Sequence, residues 1–227
     1  MKFLLKFPTR QRPEQFLSTL QLFYDYCSHP ENIQVIVSTD IDDETMTDAL
    51  IDKALSLFEN TQIYGSERKG KIAACNANLD MMDKDIDIIL LVSDDMIPQV
   101  KGWDDILEAE MKEHYPDLDG VLFHNDGYVG RQLNMMNIMG RTYYSRFNYM
   151  YHPDYISLYC DNEFMEVAEK LGKQTYFDLC LFKHEHYARN SDIPMDDLMK
   201  HNESFYGKDR MTYNRRKRRG FPMRSIL

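Results

Sequence analysis

Apolar and polar positions change period in a regular order along the chain, and this order predicts strands that alternate with helices. Mostly apolar runs such as residues 33–37, broken only by Gln34, and residues 86–92, broken only by Asp87, are typical of strands that are buried on both faces. Elsewhere apolar residues recur three or four positions apart, as in the stripe Phe16, Leu20 and Phe23, which indicates an amphipathic helix. The predicted strands are residues 2–7, 33–37, 63–64, 86–92, 120–123 and 175–182. The predicted helices are residues 13–28, 50–57, 72–83, 103–114 and 162–171.

This alternation sets the expected fold class. Strands that alternate with helices typically form an α/β fold in which helices flank a mostly parallel central sheet. The chain has 227 residues, 43% of them hydrophobic, which is enough for one sizeable core. We therefore predict one Rossmann-like domain over residues 1–209 and a basic C-terminal tail over residues 210–227.

Charge is distributed unevenly between these two parts. The whole chain carries a formal net charge of -10, yet seven of its 27 Lys and Arg residues and none of its 37 acids follow residue 209. Residues 1–209 therefore contain 20 basic and all 37 acidic residues, so the body of the chain is strongly acidic. An acidic body argues against a nucleic-acid-binding surface over most of the chain.

Cysteine spacing and hydropathy indicate the cellular compartment in which the protein is expected. The four cysteines are widely spaced and include no CxxC pair, so the sequence indicates reduced thiols rather than a zinc knuckle or a disulfide framework. No apolar run approaches the roughly 18 to 20 residues of a membrane-spanning helix. The N-terminal run of residues 3–5 is cut short by Lys6 and is too short for a signal peptide. We therefore expect no transmembrane segment and a cytoplasmic protein.

Polar clusters follow the predicted strands at their carboxyl ends. In open α/β sheets, ligands bind beyond this edge. The two adjacent carboxylates of Asp94 and Asp95, at the tip of the most apolar strand, suit a hard cation, although a capped turn is the structural alternative. The other clusters are Thr9-Arg10, residues 40–43, and His184 with His186.

Residues 90–98, Leu-Leu-Val-Ser-Asp-Asp-Met-Ile-Pro, followed by Gly102-Trp103, resemble the DxD segment of GT-A-fold glycosyltransferases of the family 2 type. Residues 71–76 are similar to the helix that these enzymes place just before that segment, and residues 7–10 with 38–40 resemble their nucleotide-binding edge. The resemblance spans most of residues 1–190. It implies a GT-A-like fold and a metal-dependent transfer of sugar from a nucleotide-sugar donor, with a UDP-sugar favoured over a GDP-sugar.

The resemblance also implies roles for the residues that would bind the donor. Thr9, Asp40 and Asp42 would hold the base and ribose, and Lys71 would approach the base or the diphosphate. Ser93 stands where the motif usually has its first Asp, which leaves Asp94 to share the ribose contact. Arg10 and Asn76 complete the predicted donor-binding set.

Metal and catalytic residues follow from the same resemblance. Asp95 matches the metal-binding last position of the DxD motif, and His184 or His186 would complete a site for Mn²⁺ or Mg²⁺. Residues 159–163 resemble the acidic motif at a helix start, so Glu163 is the first candidate for the catalytic base and Asp161 the second. A carboxylate that takes the proton of the acceptor would invert the anomeric centre.

Each of these residue groups also has a structural interpretation. Asp161 and Glu163 could serve as an N-cap and a first-turn acid, which favour a helix dipole. His184 and His186 alternate on a strand and face the same side, either as two ligands or as one bonded and one solvated ring. Trp103 suits a core position better than a sugar platform, and the tyrosines of residues 143–159 could stack on acceptor sugars or pack inside.

The acceptor and the tail are left open by the sequence. A glycan, a lipid-linked glycan, a protein or a modified nucleic acid could each accept the sugar. The run Arg215 to Arg219 is either a solvated arm or a contact for an anionic surface, whether a membrane or a polyanion.

Two other functions compete with the transferase. A sugar-phosphate nucleotidyltransferase would need a glycine-rich phosphate loop after the first strand, and residues 8–12 contain no glycine. A nucleic-acid-binding module acting through the basic tail would bind DNA or RNA in a salt-sensitive way.

Overall fold

The computed structural model describes residues 1–67, 69–185 and 195–221, and these residues form a layered α/β fold. The strands are β1 (Phe3–Pro8), β2 (Ile33–Asp40), β3 (Asn60–Ser66), β4 (Ile88–Leu91), β5 (Met96–Pro98), β6 (Val121–His124), β7 (Ile138–Gly140), β8 (Gln174–Phe177) and β9 (Phe182–His184). The helices are α1 (Pro13–Asp25), α2 (Asp48–Leu55), α3 (Lys71–Asn76), α4 (Trp103–His114), α5 (Arg141–Ser145), α6 (Cys160–Lys170), α7 (Asp197–Glu203) and α8 (Tyr206–Arg218).

Seven strands form the central sheet, in the order β3-β2-β1-β4-β7-β6-β8. Within it, β7 pairs antiparallel with both β4 and β6, whereas the other pairs are parallel. The strand β6 therefore runs in the same direction as β4. The carboxyl ends of β1, β2, β4 and β6 consequently meet at one edge of the sheet. The predicted mostly parallel α/β sheet is confirmed.

Helices cover both faces of the sheet because side chains along each buried strand point alternately to its two sides. On one face, Phe3, Leu5 and Phe7 of β1 join a cluster with Trp103 and Phe182, while Leu4 joins the cluster on the other face. Trp103 is fully buried, and its indole N–H donates to the Phe23 carbonyl at 3.0 Å. The interpretation of Trp103 as a core residue is confirmed.

Two predicted elements differ from the structure. The helix predicted to reach residue 83 ends at Asn76, because Ala77 is extended and Asn78 adopts a left-handed conformation with φ of 60°. The strand predicted over residues 175–182 is two strands: β8 belongs to the central sheet, whereas β9 pairs antiparallel with β5 in a separate small sheet.

Further elements were not predicted, among them the strand β7 and the helix α8. The short strand β7 lies in the middle of the sheet and ends at Gly140, where a Cβ would stand 2.2 Å from the Leu118 carbonyl oxygen. Helix α8 packs against α6 and runs across residue 210, the predicted start of the basic tail.

Candidate functional site

Sheet topology brings most of the predicted site residues to one edge. Because β1 and β2 are parallel neighbours with Phe7 opposite Val37, the loop that begins at Thr9 lies beside the segment that begins at Asp40. On the other side of β1, Lys6 is opposite Leu91 of β4, so residues 93–95 emerge next to the same loop. The four predicted groups at this edge are thus contributed by β1, β2, β4 and the small β5–β9 sheet.

Arg10 organises the acidic segment that follows β2. Its Nη1 atom lies 2.8 Å from Asp40 Oδ2 and 2.5 Å from Asp42 Oδ1, so one guanidinium bridges both carboxylates and balances one of their two negative charges. The hydroxyls of Thr9 and Thr39 beside them are buried, and neither has a hydrogen-bond partner within the part of the chain that the structure describes. Buried hydroxyls are usually bonded, so this pair marks a position where a polar ligand would supply the missing partners.

Asp94 is held by a residue that the sequence analysis did not single out. Arg12 donates from Nη1 to Asp94 Oδ1 at 2.9 Å and from Nη2 to Asp196 Oδ2 at 2.7 Å. Burial, with a smaller contribution from neighbouring Asp95, raises the pKa of Asp94 to about 6 in spite of the Arg12 charge. Arg12 thereby ties the tip of the central strand to the start of α7.

Asp95 and His184 form the centre of the edge. The two strands β5 and β9 pair with Met96 opposite His184, and this register places His184 Nε2 3.3 Å from Asp95 Oδ2. Ser93, which stands where the DxD motif usually has its first Asp, donates a hydrogen bond from its hydroxyl to Asp95. Burial disfavours the charged form, but the His184 ring and the Ser93 hydroxyl stabilise it and hold the pKa of Asp95 well below its ordinary value. His186, the other predicted ligand, lies outside the described residues.

Lys71 and Asn76 occupy the two ends of α3. Desolvation lowers the pKa of Lys71, whereas nearby groups, first the thiols of Cys160 and Cys75 and then the carboxylates of Asp95 and Asp161, raise it, and the net direction is upward. Lys71 is therefore a charged ammonium within electrostatic range of the central edge. Asn76, also predicted to contact the nucleotide, anchors the segment before α6: it donates to the Tyr151 carbonyl at 2.7 Å and accepts the Met150 N–H at 2.8 Å.

The two candidate bases have different surroundings. Glu163 is only 4% exposed and accepts hydrogen bonds from Tyr155 Oη at 2.7 Å and from Arg216 Nε and Nη2 at 2.7 and 2.8 Å. Asp161 accepts the N–H of Asn162 at 2.9 Å. Burial raises the pKa of Asp161, and the positive charge of Lys71 only partly offsets this shift. Asp161 is thus electrostatically linked to Lys71, whereas Glu163 is bound by a structural arginine.

The side chains at this edge can be compared with the ligands that a divalent cation requires. Among residues 1–67, 69–185 and 195–221, no group of three or more His, Cys, Asp and Glu side chains could hold a metal ion. Asp95 and His184 nevertheless present a carboxylate oxygen and an imidazole nitrogen 3.3 Å apart, close enough to bind one ion together. Both ligand types suit Mn²⁺, and a ligand diphosphate could supply oxygen atoms for the remaining positions.

Three residues of the basic run Arg215 to Arg219 form ion pairs with acidic side chains of the same chain. Arg216 bonds Glu163, Arg215 lies 3.2 Å from Asp154 and Lys217 lies 2.6 Å from Glu166. Arg218 and Arg219 are exposed at the end of α8. In the described ranges, no helix is long and apolar enough to cross a membrane.

The mostly parallel seven-stranded sheet, with helices on both faces and the Asp95–His184 pair beyond its carboxyl edge, is an α/β fold of the GT-A type. Solved glycosyltransferases share this fold. The structure of S. aureus TarS superposes with a TM-score of 0.64 at 16% sequence identity, covering 82% of this chain and 37% of TarS. The mannosyltransferase PcManGT from Pyrobaculum calidifontis, solved with GDP-Man and Mn²⁺, gives a TM-score of 0.64 at 11% identity, covering 90% of this chain and 69% of that one.

A third structure, a point mutant of Drosophila β1,4-galactosyltransferase 7 in complex with manganese, UDP-Gal and xylobiose, gives a TM-score of 0.52. Its identity is 16%, over 88% of this chain and 78% of that one. The predicted GT-A-like fold is confirmed by these similarities. This chain spans little more than a third of the length of TarS. No protein-family model matches the chain, and no curated protein matches it in sequence.

Proposed function

We propose that this chain is a metal-dependent glycosyltransferase that moves a sugar from a nucleoside-diphosphate sugar, preferably a UDP-sugar, to the hydroxyl of an acceptor. The observation that carries the proposal is the Asp95–His184 pair at the carboxyl edge of the sheet, beside two buried threonine hydroxyls without partners among the described residues. Two structures that share the fold were solved with a nucleotide-sugar and manganese, which supports the same class of donor for this chain.

Donor binding is assigned to the edge formed by β1, β2 and β4. The hydroxyls of Thr9 and Thr39 would bond the base and ribose, and Asp40 would share the ribose contact with Asp94. Arg10 holds Asp40 and Asp42 in place through its contacts at 2.8 and 2.5 Å. These contacts restrict the two carboxylates, which limits the conformational entropy that donor binding would cost.

Asp95 and His184 would hold Mn²⁺ or Mg²⁺ against the diphosphate. The ion, when bound, acts as a Lewis acid that stabilises negative charge on the departing phosphate. Lys71 supports the same charge from the start of α3, because an ammonium near a developing anion stabilises the transition state more than the ground state.

Asp161 is the better of the two candidates for the base. It is electrostatically linked to Lys71 at this edge, and its raised pKa brings it closer to the operating range of a proton acceptor. Glu163 cannot accept a proton at low cost while both of its oxygens are bonded by Arg216. Removal of the acceptor proton by Asp161 as the acceptor oxygen attacks the sugar carbon would invert the anomeric centre.

A thermal-shift panel of UDP, GDP and their sugar conjugates, with and without Mn²⁺, tests the proposal. A ligand that binds only the folded state raises the melting temperature, so we expect a shift with UDP plus Mn²⁺ that is lost in Asp95→Ala. Asp85→Ala, a change at an exposed acid, is the control and should keep the full shift. Absence of any metal-dependent shift in the unmodified chain, across the whole panel, would reject the function.

A further inference from the structure

Helix α8 is bonded to the chain on both sides of Asp161. Before Asp161, the buried carboxylate of Asp209 accepts three backbone N–H groups, from Ile156 at 3.0 Å and from Ser157 and Leu158 at 2.8 Å each. After it, Arg216 forms a two-bond ion pair with Glu163.

The turn between these two contacts has an unfavourable backbone conformation. Tyr159 adopts φ of 62°, the left-handed region that a residue with a Cβ atom rarely occupies, and it immediately precedes α6. Such a conformation is energetically unfavourable and persists only where neighbouring contacts determine it. The side chain of Tyr159 packs against those of Tyr206 and Tyr213, which also belong to α8.

The same segment also contacts the start of α3. The Ile156 carbonyl accepts the N–H of Ile72 at 3.2 Å, next to Lys71. One short stretch, residues 156–158, therefore connects α8 with the neighbours of both Lys71 and Asp161. Its N–H groups bond Asp209 and one of its carbonyls bonds α3.

We propose that Asp209 and Arg216 are positioning residues, which hold the turn of residues 156–163 so that Asp161 meets the acceptor hydroxyl. This inference rests on the proposed glycosyltransferase function and deepens it. Neither residue touches the reacting atoms. Asp209 acts through the backbone that precedes Asp161, and Arg216 acts through Glu163 in the first turn of α6. A displacement of about 1 Å at a catalytic group can lower a rate by about 100-fold, so small changes in this turn should be measurable.

Asp209→Asn is the first test, measured as turnover of the nucleotide-sugar identified in the thermal-shift panel. An amide can donate as well as accept, and it lacks the negative charge that favours three N–H donors. We expect kcat to fall at least tenfold with KM for the donor changed less than threefold, because, among the described residues, the side-chain hydrogen bonds between α8 and the rest of the chain go to residues 154–166 and not to Thr9, Asp40 or Asp95. Lys217→Gln, on the same helix, removes only exposed contacts with Glu166 and Tyr213 and should leave both constants unchanged.

A double-substitution cycle separates positioning from a general loss of stability. If Asp209 acts through Asp161, then Asp209→Asn in an Asp161→Asn background should lower the residual rate no further. Equal losses in both backgrounds would overturn the proposal. Arg216→Gln gives a second, independent measure where Asp209→Asn does not fold, and it should show the same fall in kcat with the same unchanged KM.

The two possible failures are distinguishable. Full kcat in both Asp209→Asn and Arg216→Gln would reject the positioning role and leave the transferase intact. No turnover by the unmodified chain with any nucleotide-sugar of the panel, including slow hydrolysis to free sugar, would reject the transferase and the positioning role together.

Discussion

His184 Nε2 lies 3.3 Å from Asp95 Oδ2, and the contact depends on the antiparallel pairing of two short strands that are far apart in the chain. The pairing places Met96 opposite His184, so the residue just before Met96 and the last residue of β9 are brought together. The proposed metal site therefore requires both β5 and β9 in register.

His184→Ala should weaken Mn²⁺ binding at least tenfold, because it removes the imidazole from a pair of protein ligands. The measurement is a titration of the chain with Mn²⁺ in the presence of UDP. Binding is detected by calorimetry or by the electron paramagnetic resonance signal of free Mn²⁺. His201→Ala, at an exposed histidine of α7, serves as the matched control. Equal affinities in all three proteins would remove His184 from the site.

Asp161→Asn and Glu163→Gln should have different consequences. Asp161→Asn removes the proposed proton acceptor, so we expect turnover to fall at least 100-fold while the UDP-dependent thermal shift is retained. Glu163→Gln leaves Arg216 with Asp154, at 3.5 Å, as its acid partner, so we expect a loss of about 1–3 kcal/mol in the free energy of unfolding. Because it breaks the same contact as Arg216→Gln, it should lower kcat by about tenfold, as that variant does. Rates and urea denaturation curves of both variants check this, and a rate loss in Glu163→Gln as large as that in Asp161→Asn would return the role of base to Glu163.

The sequence predicted the central parts of the fold because their signals are local. Residues 103–114 form α4 with the predicted bounds, since the apolar period, Gly102 before the first turn and the terminal His114 all agree. The tips of β1, β2 and β4 were also found, because a continuous apolar run followed by polar residues marks both the strand and its end.

The missing parts depend on contacts between distant residues. Helix α8 has few apolar residues, so it has no period to detect, and it is held by ionic contacts such as Arg216 with Glu163 and by the buried carboxylate of Asp209. The same reason explains why the sequence favours Glu163 as the base: its motif position is visible there, whereas the arginine 53 residues away that engages it is not. The choice between Glu163 and Asp161 stays a prediction. Arg12 was missed in the same way, although its position beside Thr9 and Arg10 could have indicated a role at the edge.

Lys6 provides a prediction about stability and pH. This lysine of β1 is fully buried, donates to Ser38 Oγ at 2.6 Å, and burial lowers its pKa to about 7. The unfolded chain has the ordinary pKa near 10.5, so between about pH 7 and pH 10.5 the unfolded state binds more protons than the folded state. The free energy of unfolding contributed by Lys6 should therefore rise as the pH increases across that window.

Lys6→Met removes this dependence. We expect the variant to be more stable than the unmodified chain at pH 7, with a difference that shrinks as the pH approaches 10. The Ser38 hydroxyl keeps its bond to Asn78 Oδ1 at 2.9 Å, so the substitution does not leave it without a partner. Urea denaturation at pH 7, 8 and 9 measures the difference, with Lys53→Met at an exposed position as control. A constant difference across the three pH values would contradict the assignment.

Substitution of the exposed cations of α8 and its end distinguishes contact with an anionic surface from a solvated arm. A deletion of the whole basic run would also remove Arg216 and disturb Glu163, so a substitution that spares Arg216 is cleaner. Changing Lys208, Arg210, Arg218 and Arg219 to Gln should lower binding to vesicles that contain phosphatidylglycerol at least tenfold, since each cation near such a surface contributes about 1 kcal/mol. The matched control changes four exposed lysines elsewhere, Lys2, Lys53, Lys84 and Lys112, and lowers the net charge equally. Sedimentation with vesicles at low and at physiological salt measures both variants. Equal losses in the two variants would mean that net charge, rather than this helix, governs the association, and unchanged binding in the α8 variant would remove the surface altogether.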